Sequence, residues 1–115
     1  MTKATIWHNP RCSKSRAALA ILEGTPGVEV EVVEYLKTPP SRAEIEAVLA
    51  KAGVRPSQAV RKGEGVVKEI ALDVTDDKAV LDAMAQHPIL IERAIVITEK
   101  GAVIARPPER ASEVL

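Results

Sequence analysis

The sequence contains no phenylalanine and only two aromatic residues, Trp7 and Tyr35. Base-stacking platforms need exposed rings, so this shortage argues against stacking on single-stranded nucleic acid. A single cysteine, Cys12, forbids an internal disulfide, and with two histidines it cannot supply the four ligands of a structural zinc site. No metal is expected. Sixteen basic residues balance sixteen acidic ones without a run of either sign, which speaks against a nucleic-acid footprint. The longest apolar run, residues 17–22, is far below the roughly 20 residues that cross a bilayer, and residues 1–7 have no apolar signal core. The expectation is a cytoplasmic protein whose partners are neither membranes nor nucleic acid.

What the sequence does have is aliphatic bulk. Hydrophobic residues make up 46% of its 115 positions, so Val, Ile, Leu and Ala must build the core of one domain spanning residues 1–115. Residues 4–8 read as a strand stopped by the turn signal Asn9-Pro10. A helix follows, with Ser15, Ala18, Leu19 and Leu22 on one face and Gly24 at its end, which places Cys12 at or just before its first turn. Val28, Val30 and Val32 alternate with Glu29 and Glu31 as a second strand. Ser41 and Glu44 form a capping-box signature for a second helix, which Gly53 ends. The spacing predicts a short helix over residues 56–62, another capped by Thr75 and stopped before Pro88, a β-hairpin from Ala94 to Ala105, and a last helix opened by Pro107 and Pro108. The outcome is an α/β chain with a small mixed sheet of about four strands and a helical insertion between a βαβ half and a ββα half. That outline matches a thioredoxin-like fold.

Residues 8–16, His-Asn-Pro-Arg-Cys-Ser-Lys-Ser-Arg, gather what a reactive thiol needs. A helix N-terminus carries about half a positive charge and unpaired N–H groups, which favour the thiolate and can also cradle an oxyanion. Arg11, Lys14 and Arg16 add charge, as His8 does if protonated, and the Ser15 hydroxyl stands one turn on, in position to donate to the sulfur. Position 15 is serine where a redox dithiol motif has its second cysteine, so an external thiol must resolve anything formed on Cys12. A phosphatase-type loop would need arginine at position 18, which is Ala18. A papain-type hydrolase would need His87 as base, without any accompanying oxyanion-hole signal.

These residues resemble the glutaredoxin-coupled arsenate reductase family (ArsC-like). The likeness runs through His8-Asn9-Pro10-x-Cys12-x-x-Ser15-Arg16, Val33-Glu34-Tyr35-Leu36-Lys37-Thr38-Pro39, Val60-Arg61-Lys62, His87-Pro88-Ile89-Leu90-Ile91-Glu92-Arg93 and Ala105-Arg106-Pro107-Pro108-Glu109. The resemblance implies a thioredoxin-like fold and a glutathione- and glutaredoxin-dependent reduction of arsenate to arsenite through a covalent Cys12 adduct. It implies no bound cofactor, glutathione as co-substrate and glutaredoxin as partner. It further implies that Arg61, Arg93 and Arg106 clamp the oxyanion and that His8 and Ser15 activate the thiol. Independently, arginine offers a planar, always charged fork of donors suited to a tetrahedral oxyanion.

The family usually carries proline directly after the arginine matched by Arg93, and this chain has Ala94. A cis bond before alanine costs about 2.5 to 4 kcal/mol, so a trans Arg93–Ala94 peptide is expected. Two other readings accompany the reductase. One is a monothiol glutaredoxin-like oxidoreductase acting on another substrate; the other is a transcriptional regulator similar to the Spx-like proteins, which bind RNA polymerase.

Overall fold

The computed structural model describes residues 2–115. Among them are two compact units, one formed by residues up to 38 together with residues 93–115, the other by residues 39–92.

The first unit is a four-stranded mixed sheet in the order β2-β1-β3-β4. Strands β1 (Thr2–Trp7) and β2 (Val28–Val33) run parallel, joined by helix α1 (Ser13–Glu23). Strands β3 (Ile95–Thr98) and β4 (Gly101–Ile104) form the expected hairpin, and β3 pairs antiparallel with β1. Alternation decides the packing. Ala4 and Ile6 of β1, Val96 of β3 and Val103 of β4 meet Ala18 and Leu22 of α1, with Ala111 and Val114 closing the cluster. The last two belong to a 3₁₀ helix, Pro108–Val114, where an α-helix was expected. Its end is pinned to the sheet by the buried Thr98 hydroxyl, which donates to the Val114 carbonyl at 2.6 Å.

The second unit is helical: α2 (Arg42–Ala52), α3 (Pro56–Ala59), α4 (Gly65–Glu69), α5 (Asp77–Gln86) and a 3₁₀ turn, Pro88–Leu90. The Ser41–Glu44 capping box is present in both directions, and Gly53 takes the left-handed conformation that ends α2. Ile45 and Leu49 of α2 face Val80, Leu81 and Met84 of α5, the stripe expected from spacing.

Two expectations are corrected in this unit, and one helix in it was not anticipated. Helix α3 ends at Ala59 rather than at residue 62, because Val60 turns extended and bridges Ile91, with the Arg61 N–H donating to the Leu90 carbonyl at 2.8 Å. The turn of α4 carried no caps or stripe that sequence periodicity could find. Asp76, not Thr75, caps α5: its carboxylate accepts the N–H groups of Lys78 and Ala79, while the Thr75 hydroxyl is spent on Asp73.

A third correction lies at the start of β3. The Arg93–Ala94 peptide is cis, not trans. Ala94 is fully buried and its carbonyl accepts the Ala105 N–H at 2.8 Å, so the sheet, not the local preference, sets this position.

Candidate active site

Register brings the site together at one end of the sheet. Trp7 pairs with Val33 on one side and with Ile95 on the other, and Ile95 pairs with Ile104. The chain therefore leaves β1 toward Cys12, enters β3 from Arg93 and leaves β4 toward Arg106, all at that end. The β2 exit toward Glu34 lies there too.

Between β1 and α1 the chain makes a tight turn. The Cys12 N–H donates to the Asn9 carbonyl at 3.0 Å, and the Asn9 side chain accepts the Arg11 N–H at 3.0 Å. Asparagine favours such turns because its short side chain satisfies a backbone donor two residues on. Cys12 then occupies the N-cap of α1 with extended backbone, φ −95° and ψ 122°, and its thiol makes no capping hydrogen bond. An N-cap side chain faces the free N–H groups of the second and third helical residues, here Lys14 and Ser15.

The electrostatics follow from that position. Partial burial pushes the Cys12 thiol up, but the N–H groups of Ser15 and Lys14 and the guanidinium of Arg93 outweigh it, leaving the pKa below the ordinary thiol value. Arg93, half-buried at the start of β3, thus stands beside the sulfur although Ala94 follows it. Arg106 is exposed at the end of β4.

His8 and Ser15 are both buried, and the His8 Nδ1 lies 2.7 Å from the Ser15 Oγ. The Asn9 N–H donates to the same oxygen at 3.0 Å. The Ser15 oxygen is shared by His8 and Asn9, and the backbone N–H of this residue favours the Cys12 thiolate. Burial lowers the His8 pKa; Glu34 opposes it, Arg16 adds to it and Glu23 opposes it, and the imidazole is neutral at neutral pH. The lowered pKa disfavours the positive charge that His8 would carry if protonated. Arg16 reaches back to the Pro10 carbonyl at 2.8 Å, while Arg11 and Lys14 are exposed.

Arg61 lies in the second unit. Its guanidinium faces two carboxylates, Glu64 at 3.4 Å and Glu92 at 3.8 Å. The turn at Asn9-Pro10 and the free N–H groups of the helix start were expected, and the structure adds the Asn9 side-chain bond and assigns the N–H groups to Lys14 and Ser15. The carboxylates around Arg61 were missed, because no local pattern marks them.

A free thiol at the first helix end of a βαβ-ββα mixed sheet, with helices inserted between the halves, defines a thioredoxin-like thiol protein. The ArsC family model matches residues 7–114. An arsenate reductase of Rhizobium meliloti is 45% identical over 96% of this chain and 80% of its own length. One from Neisseria meningitidis serogroup A is 43% identical with 100% of both chains covered. The solved structure of an arsenate reductase from Vibrio cholerae superposes with a TM-score of 0.91 at 40% identity, over 99% of this chain and 98% of that one. The chain belongs to the ArsC family.

Proposed function

We propose that the protein is an arsenate reductase, an oxidoreductase with Cys12 as its nucleophile. The reading rests on the placement of Cys12, whose thiolate is favoured by two helix N–H groups and the Arg93 guanidinium at the site where a tetrahedral oxyanion would meet the same donors. The Cys12 thiolate attacks arsenic and one oxygen leaves as water, without change in oxidation state. Arg93 and Arg106 balance the charge of the oxyanion, and the family resemblance implies the same role for Arg61.

The reduction needs two electrons, and one cysteine cannot supply them with closure of an internal disulfide. Glutathione supplies the second thiol: its sulfur displaces another arsenic oxygen as water. The thiolate of glutaredoxin then attacks the glutathione sulfur, the electron pair of the As–S bond stays on arsenic, and arsenite leaves Cys12 on hydrolysis. No bound cofactor takes part, and a reducing cytoplasm keeps both thiols available. In this scheme Ser15 and neutral His8 hold the turn on which Cys12 sits.

The test is arsenate-dependent NADPH oxidation by the purified protein with glutathione, glutathione reductase and glutaredoxin, beside Cys12→Ser. Consumption that needs arsenate and vanishes in Cys12→Ser is the expected result. No consumption above the control, with Cys12 still alkylated rapidly at neutral pH, would sink arsenate as substrate and leave a monothiol oxidoreductase.

A further inference from the structure

The turn that carries Cys12 forms one wall of a cavity of about 210 Å³. The facing wall comes from the segment after β2, through Glu34, Leu36 and Lys37. Apart from His8 and Asn9, which hold the Cys12 turn, its lining residues have no part in the chemistry assigned above.

Its size and charge narrow the occupant. Pockets for drug-sized ligands run to about 300–1,000 Å³, so this one suits a short peptide arm rather than a nucleotide or a protein domain. Neither Phe, Tyr nor Trp is among its lining residues, and the His8 imidazole that borders it is buried against Ser15, so no exposed ring is offered for a base to stack on. Pro10 and Leu36 offer apolar surface, and Leu36 is exposed. Two cations, Arg11 and Lys37, and one anion, Glu34, stand around it. Lys37 is exposed and Glu34 half-buried, and the two are paired only at 3.6 Å, a contact that a zwitterion can exchange. Two cations and one carboxylate complement a ligand with two carboxylates and one ammonium group.

The thiol lies within reach. Cys12 closes the turn that begins at Asn9, and the ends of such a turn are less than about 7 Å apart. An extended tripeptide spans roughly 10 Å. A ligand seated against Pro10 and Leu36 can therefore bring a central sulfur to Cys12. The chain has no second cysteine of its own, so that sulfur has to come from outside.

We propose that this cavity is the binding site for the thiol co-substrate, a small peptide thiol with the two carboxylates and single ammonium of glutathione. Arg11 and Lys37 take the carboxylates and Glu34 the ammonium. The assignment rests on the reading of Cys12 as a nucleophile resolved by an external thiol.

S-Methylglutathione, which cannot react, is titrated into the full chain and followed by amide chemical shifts. Saturable shifts are expected at residues 9, 11, 12 and 34–37, with binding weakened by at least about fivefold in Arg11→Glu/Lys37→Glu. Arg11→Gln/Lys37→Gln serves as a milder second variant should charge reversal disturb the fold. In the coupled assay the double variants raise the KM for glutathione and leave the KM for arsenate within about twofold. Shifts that are absent, that fall elsewhere or that persist unchanged in both double variants overturn the site, and so does an equal rise in both KM values. Mapped binding without arsenate-dependent turnover upholds the cavity while the arsenate reading fails. Turnover without these shifts does the reverse.

Discussion

The His8 imidazole and the Ser15 hydroxyl meet at 2.7 Å, a buried contact that ties the end of the first strand to the first turn of the helix behind Cys12. The Asn9 N–H shares the same oxygen. Together they fix the turn that sets the direction of the thiol.

Ser15→Ala should therefore weaken the fold. It leaves the buried Asn9 N–H and the His8 Nδ1 without their partner, a loss of about 1 to 3 kcal/mol. Urea unfolding measures it. The N–H of residue 15 remains, so rapid alkylation of Cys12 at neutral pH should largely survive. A variant of full stability would show that the contact is dispensable.

Arg93→Gln should raise the pKa of Cys12. The guanidinium favours the charged thiolate, so its removal shifts ionisation to higher pH and slows alkylation at neutral pH. The pH dependence of iodoacetamide reaction rates gives the value in both proteins. Linkage supplies a second reading: with a folded pKa below the unfolded one, Cys12 adds stability above its unfolded pKa and loses it as pH falls through the folded pKa. That increment should be missing in Cys12→Ser.

His8 offers a titration of the opposite charge type. Burial depresses its pKa, so NMR should find its midpoint below the ordinary value of 6.5. In acid the unfolded chain takes up this proton first, which favours unfolding. Stability should thus decline as pH falls from the unfolded pKa of the imidazole to its folded one, and His8→Gln should flatten that part of the profile. A midpoint at or above 6.5 would mean that burial does not govern the His8 titration.

The parts of this architecture written in local signals were legible in the sequence. Alternating valines gave β2, the Ser41–Glu44 pair gave α2, and the Asn9-Pro10 stop followed by a helical stripe put Cys12 at a helix N-terminus. What could not be read was decided across the fold. Val60 leaves a helical pattern because Ile91 bridges it. Ala94 adopts a cis peptide in a buried position facing Ala105, where isolated-peptide energetics favoured trans. The Ser15 hydroxyl sits at the right spacing for the sulfur but bonds to His8, a partner seven residues back that no helical periodicity indicates.

The last prediction concerns Arg61, the proposed oxyanion ligand of the helical unit. Its contacts to Glu64 and Glu92, at 3.4 and 3.8 Å, are longer than the roughly 2.7–2.9 Å of a well-formed charge-assisted bond. An incoming oxyanion competes with these carboxylates for the same guanidinium, and the side chains of Arg61 and Glu64 are only 21% and 22% exposed, which limits screening by water. Glu64→Gln removes one competing charge while keeping the side-chain shape. It should lower the KM for arsenate by about two- to fivefold, an effect of the size expected for a partly screened ion pair. Arg61→Ala should raise it by about tenfold or more. Initial rates at varied arsenate and saturating glutathione measure both. A rise in KM on Glu64→Gln would mean that this carboxylate positions Arg61 for the oxyanion instead of competing with it.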